Sequence, residues 1–321
     1  MRIVVLGAGA LGSITAAHLA RAGQDVALIA RGPRAKLLTE RGVTVKGLSD
    51  FTVQLPIMER PQDLEACDAL MFTPKTYDTQ TALDGVRGLK AEMAFSVQNG
   101  VVKNEHLAAV FGREHTLGCI ANFSGEVQED GSVLFSRNEG LYLGELPQGL
   151  SERTRALVAA LDAAGIKTIA SERIRSVEWS KYATWLGLTA VSVLSRLYTH
   201  RLYQDDGLDI LQTTITREAV RLAAAEGVDV MDLGGLIFPK TMSTAPTDEC
   251  VAVLKKAGAA MEAGGTVTHR MSALQDLLRG RRLEIEETFG YAVGRGAELG
   301  VAMPALETCY RLLAGINNAI D

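Results

Sequence analysis

The chain opens with a glycine-rich motif whose position strongly limits the folds that it can adopt. The motif follows a short apolar strand over residues 2–6, leads directly into a helical pattern over 13–22, and consists of Gly7, Ala8, Gly9, Ala10, Leu11 and Gly12. In this context the first glycine permits a tight turn, the second lets the backbone approach a pyrophosphate, and the third allows the helix to pack closely on the strand. The N-terminus of that helix favours negative charge. The motif therefore predicts a Rossmann-type domain that binds a dinucleotide, rather than a glycine-rich turn without a ligand.

Residues up to about 172 continue the pattern that such a domain requires. Short apolar strands alternate with amphipathic helices, which is typical of a doubly wound parallel sheet covered by helices on both faces. Further strands are predicted at residues 25–29, 68–73, 93–97 and 116–120. A hairpin between Gly125 and Leu146, turning at Asp130-Gly131, is expected to finish this sheet, and a last α/β unit is expected to end near Ile169.

Beyond residue 172 a helical periodicity replaces the strand pattern. One apolar stripe comprises Leu208, Leu211, Ile215 and Leu222. Asp205 or Asp206 is the expected N-cap of this helix, and Gly227 is its expected stop. A chain of 321 residues suits two domains of roughly 150 residues each. We therefore predict an α/β dinucleotide-binding domain over residues 1–172 and an all-helical substrate and catalytic domain over residues 173–321.

Charge and composition exclude several classes of partner. The formal net charge of −5 gives no chain-wide positive surface, so neither nucleic acid nor an anionic membrane is a predicted partner. No apolar run approaches the roughly 18 residues that span a bilayer, and no signal-peptide pattern opens the chain, so a cytoplasmic location is expected. The cysteines lie far apart without a C-x-x-C pair, which indicates reduced thiols and no metal site; they are Cys67, Cys119, Cys250 and Cys309.

The end of the second predicted strand indicates which dinucleotide binds. An NAD enzyme carries Asp or Glu there, about 20 residues past the motif, to bind the ribose hydroxyls. This chain reads Ile29-Ala30-Arg31-Gly32-Pro33-Arg34 instead, with no carboxylate. Because a guanidinium can bind a 2′-phosphate through two hydrogen bonds, the sequence predicts NADP as the cofactor and Arg31 as its phosphate ligand. The alternative is that Arg31 and Arg34 are solvated loop charges.

Polar residues follow two further predicted strands, at the edge where ligands of open α/β sheets bind. Pro74-Lys75-Thr76 comes after the strand at 68–73, and Gln98-Asn99-Gly100 comes after the strand at 93–97. Lys75 and Asn99 are therefore candidate site residues. A surface lysine and an ordinary turn are the alternatives, and the local pattern does not decide between them.

A lysine interrupts one apolar face of the helix that begins near Ser176. Val177, Lys181, Trp185 and Leu188 share this face, at positions i, i+4, i+8 and i+11. The Lys181 amine either extends to water or lies in a desolvated cleft, an environment that brings the pKa of an amine towards the range useful for acid-base catalysis. The pattern leaves both interpretations open.

A later segment combines polar and charged residues around a break. Residues 271–278, which include Ser272, form a predicted short amphipathic helix, and residues 279–282 form a basic break. Residues 284–287, beginning with Glu284, form an acidic helix start, where carboxylates are favoured by the helix dipole. A solvated surface is the alternative for this segment.

Taken in chain order, these features resemble the ketopantoate reductase family over nearly the whole chain. The matching features are the motif at 7–12, Lys75, Gln98-Asn99-Gly100, Trp179-x-Lys181, residues 272–276 and Glu284-Ile285. The resemblance implies a Rossmann domain followed by a helical domain similar to that of 6-phosphogluconate dehydrogenases. It also implies NADPH-dependent reduction of 2-ketopantoate (2-dehydropantoate) to pantoate, a step of pantothenate biosynthesis.

The resemblance further implies roles for individual residues. Lys181 matches the catalytic lysine, which donates a proton and polarises the ketone, and Glu284 matches an acid that orients the substrate. Ser272 would contact the substrate carboxylate or hydroxyl, whereas Asn99 and Lys75 would place the nicotinamide and the substrate. An ammonium suits this chemistry, because hydride transfer to a 2-oxo carbon develops alkoxide charge.

The predicted helix that carries Lys181 departs from the family pattern at two positions. One and two turns after its lysine the family carries asparagines that help to hold the substrate, and this chain has Trp185 and Thr189 there. The expected substrate is a small branched 2-oxo acid, with ketopantoate as the first choice. The alternatives are another 2-oxo acid or a ketone, or a catalytically silent NADP-binding sensor. Apolar helices in the C-terminal domain are compatible with a homodimer.

Overall fold

A five-stranded parallel sheet organises the first part of the chain. The computed structural model describes residues 1–320. Its strands are β1 (Arg2–Leu6), β2 (Asp25–Ile29), β3 (Val43–Gly47), β4 (Phe51–Val53), β5 (Ile57–Met58), β6 (Ala66–Phe72), β7 (Lys90–Ser96), β8 (Leu117–Val127), β9 (Val133–Glu145) and β10 (Thr168–Ala170). The parallel sheet has the order β5-β2-β1-β6-β7, so β1 lies at its centre. The predicted strands at 25–29, 68–73 and 93–97 are confirmed, the last two with small shifts at their ends.

Helices cover both faces of this sheet. The first five helices are α1 (Ala10–Arg21), α2 (Gly32–Arg41), α3 (Thr79–Asp84), α4 (Lys103–Phe111) and α5 (Glu152–Ala163). Successive side chains of a strand point to opposite faces, and both faces of β1 are buried. Ile3 packs in one apolar cluster with Ile14 of α1, whereas Val4 packs in another with Leu107 of α4. This arrangement confirms the predicted doubly wound sheet.

The remaining strands form a second sheet, which was not predicted from the sequence. The predicted hairpin is confirmed, because β8 and β9 pair in antiparallel fashion across a turn at Gly131, where φ is +84°. The prediction that this hairpin finishes the parallel sheet is wrong. β9 has 13 residues and is long enough to pair in parallel with β3 near its start and with β10 near its end. Between the two sheets, residues 1–320 contain one isolated parallel bridge, Ala94 to Thr116.

Helices account for the regular structure of the chain after β10. They are α6 (Ile174–Ser195), α7 (Thr199–Leu202), α8 (Asp206–Ala225), α9 (Pro239–Thr244), α10 (Thr247–Ala263), α11 (Ser272–Leu278), α12 (Tyr291–Glu298) and α13 (Pro304–Asn318). A short π-helix, Glu286–Gly290, precedes α12 directly. The predicted ends of α8 are confirmed, since the Asp205 side chain accepts a hydrogen bond from the Leu208 N–H at 2.9 Å and Gly227 has a φ of +71°.

The described residues divide into two units. Residues 1–99 and 103–175 form the first, which we call the α/β unit, and residues 100–102 join those from Ser176 onwards in the second, the helical unit. The predicted fold class, a Rossmann-type α/β region followed by an all-helical region, is therefore confirmed. Which unit binds the cofactor and which binds the substrate stays a prediction. Within residues 1–320, no helix is both long and apolar enough to cross a membrane.

Candidate active site

The glycine loop between β1 and α1 has the backbone geometry that its sequence predicts. Gly7 has a φ of +109°, a conformation that favours glycine. A Cβ atom on Gly12 would lie 2.0 Å from the Gly7 carbonyl oxygen, so the third glycine permits the close approach of helix and loop. Gly9 is exposed, and a Cβ atom there would meet no atom within 4 Å. The first and third glycines are thus required by the chain itself, while the second leaves open space beside the loop.

The N-terminus of α1 is suited to bind an anion. Gly9 is its N-cap and offers no side chain to the first amides of the helix. The first turn of α1 contains no acidic residue, so nothing in it opposes a negative ligand. An uncapped helix end of this kind supplies N–H donors to a phosphate. The loop therefore fits the pyrophosphate of a dinucleotide.

Thr73 fixes the glycine loop from the neighbouring strand, a role that the sequence analysis missed. Its hydroxyl Oγ1 lies 2.9 Å from the carbonyl oxygens of both Leu6 and Gly7 and can donate to either. Its backbone N–H also donates to the Leu6 carbonyl oxygen at 2.9 Å. Thr73 directly follows β6, but nothing in the local sequence pattern specifies its contact with a loop 66 residues earlier.

The two arginines after β2 occupy different environments. Arg31 is the exposed N-cap residue of α2, just after the end of β2. Arg34 is half-buried and donates hydrogen bonds to the carbonyl oxygens of Ala8 (3.2 Å) and Gly131 (2.6 Å) and to the Ser13 hydroxyl (3.3 Å). Burial lowers the pKa of Arg34 from its ordinary value. The interpretation of Arg34 as a solvated loop charge is therefore wrong.

Gln98 joins the two loops that carry the other candidates of the α/β unit. Its buried side-chain amide donates from Nε2 to the Pro74 carbonyl oxygen and to the Thr79 hydroxyl, at 2.9 Å each. Lys75 and Asn99 are the half-buried neighbours of Pro74 and Gln98 in these loops. Because β6 and β7 are adjacent parallel strands, their C-terminal loops meet at one edge of the sheet. Gln98 itself is thus a structural residue between two candidate residues.

Lys181 lies at an unusual point of the longest helix. Every residue of α6 from 176 to 193 is buried except Lys181, which is half-buried. The buried apolar residues of this stretch include Trp179 and Leu188, which belong to two different apolar clusters. The side chain of Lys181 is therefore the one route from the middle of this helix to a ligand or to solvent, in an otherwise desolvated environment.

The segment that carries Glu284 packs against α6 beside Lys181. The buried Tyr182 hydroxyl donates to the Thr288 carbonyl oxygen at 2.7 Å. The ring centroids of Trp185 and Phe289 are 5.7 Å apart. Glu284 is half-buried and lies just before the π-helix. The helix that was predicted to start with acidic residues at 284–287 therefore begins as a π-helix, at Glu286.

The three remaining candidates of the helical unit differ in exposure. Ser272 is exposed at the first position of α11. Trp185 is 8% exposed and belongs to the same apolar cluster as Phe289. Thr189 is fully buried, and its hydroxyl has no hydrogen-bond partner among residues 1–320. The accessible candidates of the helical unit thus offer an amine, a carboxylate and the hydroxyl of Ser272.

Comparisons with known proteins agree along both parts of the chain. The family model described as ketopantoate reductase PanE/ApbA matches residues 3–148, and the model of its C-terminal part matches residues 173–317. The 2-dehydropantoate 2-reductase of Archaeoglobus fulgidus is 28% identical over 319 residues, which cover 99% of each chain.

Solved structures show the same architecture. A ketopantoate reductase of the PanE/ApbA family from Ralstonia eutropha JMP134 has a TM-score of 0.83 and 25% identity, with 99% of each chain covered. A D-mandelate dehydrogenase solved with NADH and anilino(oxo)acetate has a TM-score of 0.84 at 19% identity, with 100% of this chain and 99% of that chain covered. At 19% identity, the similarity to D-mandelate dehydrogenase shows a shared fold only.

Proposed function

We propose, because the chain belongs to the ketopantoate reductase PanE/ApbA family, that it reduces a small branched 2-oxo acid to the 2-hydroxy acid with NADPH. Ketopantoate, which would give pantoate, is the first substrate to test. One observation carries the proposal beyond family membership: Lys181 is the single accessible side chain in an otherwise buried stretch of α6. A lysine in that position is accessible to a ligand from a helix whose neighbouring side chains are buried, which suits a general acid.

The proposed role of Lys181 follows from where charge develops. A nicotinamide supplies the hydride when it is bound, and the protein supplies orientation and electrostatics. As the 2-oxo carbon is reduced, its oxygen gains alkoxide character, which the Lys181 ammonium stabilises by donating a hydrogen bond. The proton then passes from Nζ to that oxygen, leaving a neutral amine and a 2-hydroxy acid.

The other candidates would bind and orient rather than transfer protons. Glu284 would accept a hydrogen bond from the substrate, and Ser272 would contact its carboxylate or hydroxyl. Lys75 and Asn99 would place the nicotinamide and the substrate from the C-terminal edge of the parallel sheet. Each role requires a polar group that is held in one position. For Lys75 and Asn99, the buried Gln98 side chain supports this, because it joins the two loops that carry them.

Arg31 would select NADPH over NADH. The chain has no carboxylate at the end of β2, where an NAD enzyme binds the ribose hydroxyls. Arg31 is exposed at that end, whereas the guanidinium of Arg34 is engaged with Ala8, Ser13 and Gly131. Arg31 is therefore the better placed of the two to meet a 2′-phosphate.

The test is an assay of cofactor oxidation with a panel of 2-oxo acids and ketones. The purified chain is mixed with NADPH or NADH and with each compound, ketopantoate included. We expect substrate-dependent oxidation of NADPH, with ketopantoate among the substrates. Tight NADPH binding without turnover of any compound would instead support the silent sensor. A homodimer stays a prediction, to be checked by analytical ultracentrifugation of the same sample.

A second candidate function is the reduction of a more apolar 2-oxo acid in the same site. The observation that favours it is the residue type at the first family asparagine position, where this chain has the indole of Trp185 instead of an amide. An indole fills space and offers no amide to a substrate hydroxyl. The same panel separates the two candidates when it includes the deoxy analogue of ketopantoate.

A further inference from the structure

The segment that joins Glu284 to α12 is not a regular α-helix. Residues Glu286–Gly290 form a π-helix, and the Gly290 N–H accordingly donates to the Ile285 carbonyl oxygen, five residues earlier, at 3.0 Å. The Thr288 N–H donates to Ile285 as well, at 3.3 Å. π-helices are rare in proteins, but those that occur often lie at functional sites. The extra residue displaces the backbone on one side of the helix.

Thr288 compensates for the irregular backbone beside Glu284. In an α-helix the Thr288 N–H would donate to the Glu284 carbonyl oxygen, four residues earlier. Here the Thr288 hydroxyl Oγ1 makes that hydrogen bond to the Glu284 carbonyl oxygen instead. The backbone of Glu284 is therefore tied to a residue that is itself held from another element.

Tyr182 is the side chain that holds Thr288. Its hydroxyl donates to the Thr288 carbonyl oxygen at 2.7 Å, from a position 106 residues earlier in the chain. The side chain is 2% exposed, and burial is the main cause that raises the pKa of Tyr182 well above its ordinary value, so the hydroxyl stays a donor. Tyr182 is also the immediate neighbour of Lys181 on α6. One residue of α6 thus presents the amine, and the next fixes the segment that presents the carboxylate.

Two more aromatic side chains hold the π-helix. Trp185, one turn after Tyr182, contacts the Phe289 ring, and the Tyr310 hydroxyl of α13 donates to Glu286 Oε2 at 2.7 Å. Of the three contacts, the one from Tyr182 is closest in sequence to Lys181. It is also the one connected to the Glu284 backbone through a single residue, Thr288.

We infer that Tyr182 is a positioning residue for the proposed reaction, which sets the Glu284 carboxylate relative to the Lys181 amine through the Tyr182–Thr288–Glu284 hydrogen bonds. The inference rests on the proposed roles of Lys181 and Glu284. Reacting groups must be held within a fraction of an ångström, and a displacement of about 1 Å can cost roughly 100-fold in rate. A single buried hydroxyl that acts through the backbone of Glu284 can therefore control turnover.

The first experiment replaces Tyr182 by Phe and measures kcat with NADPH and ketopantoate, or with the best substrate of the panel. We expect kcat to fall by roughly 10- to 100-fold with the dissociation constant of NADPH unchanged. The matched control is Tyr203→Phe. Tyr203 is also fully buried in the helical unit, but it belongs to a different apolar cluster from Tyr182 and Phe289. We expect the control to keep wild-type kcat.

A double-mutant cycle separates positioning from simple stabilisation. If Tyr182 acts by placing the Glu284 carboxylate, Tyr182→Phe should change kcat by less than about twofold in a Glu284→Ala background. Equal losses in both backgrounds would overturn the inference while leaving the role of Glu284 intact. Wild-type turnover of Glu284→Ala alone would instead reject the proposed function at that residue.

Thr288 variants and hydrogen exchange complete the test. Thr288→Val keeps the shape of the side chain but removes the donor to the Glu284 carbonyl oxygen, so it should reproduce the loss of kcat, and Thr288→Ser should restore most of it. Amide hydrogen exchange over residues 284–290 needs no substrate. It should accelerate in Tyr182→Phe and stay at the wild-type rate in Tyr203→Phe. Unchanged exchange in both variants would overturn the inference whatever the assay shows.

Discussion

Arg34 donates a hydrogen bond from its guanidinium Nε to the carbonyl oxygen of Ala8, across 3.2 Å, in the middle of the glycine loop. The same guanidinium reaches the Gly131 carbonyl oxygen in the turn between β8 and β9. The loop, α2 and the second sheet are therefore connected by one side chain. Arg31, three residues earlier, makes no such connection to the loop and lies exposed at the end of β2. The two arginines should accordingly respond to mutation in different ways.

Replacing Arg31 by Ala should weaken NADPH selectively. A charge-assisted contact to the 2′-phosphate contributes about 1.5 to 3 kcal/mol, so we expect a loss of roughly 10- to 150-fold for NADPH and almost none for NADH. Titration of cofactor fluorescence gives both dissociation constants. Equal losses for the two cofactors would show that Arg31 does not meet the 2′-phosphate.

Replacing Arg34 by Ala should weaken both cofactors by a similar factor, on the order of tenfold, because the shared pyrophosphate site loses its support. The same titration measures this, with Arg31→Ala as the matched control. A loss confined to NADPH would identify Arg34 as a second phosphate ligand rather than a support of the loop.

Local features of the sequence predicted the elements whose geometry is determined locally. The glycine motif, the caps of α8 and the anomalous position of Lys181 on α6 each depend on residues within a few turns of one another, and the structure has all three. The strand β1 and the helix α1 follow for the same reason, since a short apolar run leads directly into the glycine motif and the helical pattern begins at once after it.

Contacts between distant residues could not be predicted in this way. The pairing of β9 with β3 joins Val133 to Val45, and the Tyr182 hydroxyl meets a carbonyl oxygen 106 residues away. Nothing in the local pattern of either partner specifies the other, because pairing depends on how the whole chain folds. The same limit applies to Thr73, whose hydroxyl serves the glycine loop 66 residues earlier.

Replacing Lys181 by Ala should lower kcat by roughly 10²- to 10⁴-fold and leave the dissociation constant of NADPH near wild type. General acid catalysis is lost, while the glycine loop in the α/β unit is unchanged. Steady-state kinetics and cofactor titration check the two parts separately. Glu284→Gln should act on both kcat and KM, because an orienting group serves binding and the transition state alike. A Lys181→Ala enzyme with normal turnover on its best substrate would reject the mechanism.

Replacing Asp209 by Asn should stabilise the protein more at pH 8 than at pH 5. Asp209 in α8 is 1% exposed, and neither carboxylate oxygen has a hydrogen-bond partner among residues 1–320. Burial raises the pKa of Asp209 to about 7, helped by Asp205 and Asp206 and opposed by Lys255. The fold therefore favours the protonated form, so its free energy of unfolding falls as the pH rises from about 4, the pKa in the unfolded chain, to about 7.

Asparagine has no such dependence, because its amide stays neutral. We expect the melting temperature of Asp209→Asn to exceed that of wild type at pH 8 by roughly 2–4 °C more than at pH 5. The control is Asp84→Asn in α3, where the exposed carboxylate pairs with Arg87 and should matter little at either pH. A difference between Asp209→Asn and wild type that is the same at both pH values would show that the carboxyl group does not titrate in this range.

The choice of substrate should depend on Trp185 and Thr189. If these side chains border the substrate, the indole occupies the place of an amide that could bind a substrate hydroxyl, and the site accepts a more apolar 2-oxo acid. Sites built to bind a hydroxyl reject analogues without it far more strongly than apolar pockets reject an added hydroxyl. We therefore expect poor discrimination between ketopantoate and its deoxy analogue, a 2-oxo acid with the same branching.

The rival interpretation is that Trp185 only packs on Phe289, which its burial also allows. The measurement is kcat/KM for both compounds, in wild type and in the Trp185→Asn/Thr189→Asn double variant. A wild-type preference for ketopantoate above about 10³-fold, unchanged by the double substitution, would assign recognition of the hydroxyl to other residues and establish ketopantoate as the preferred of the two substrates.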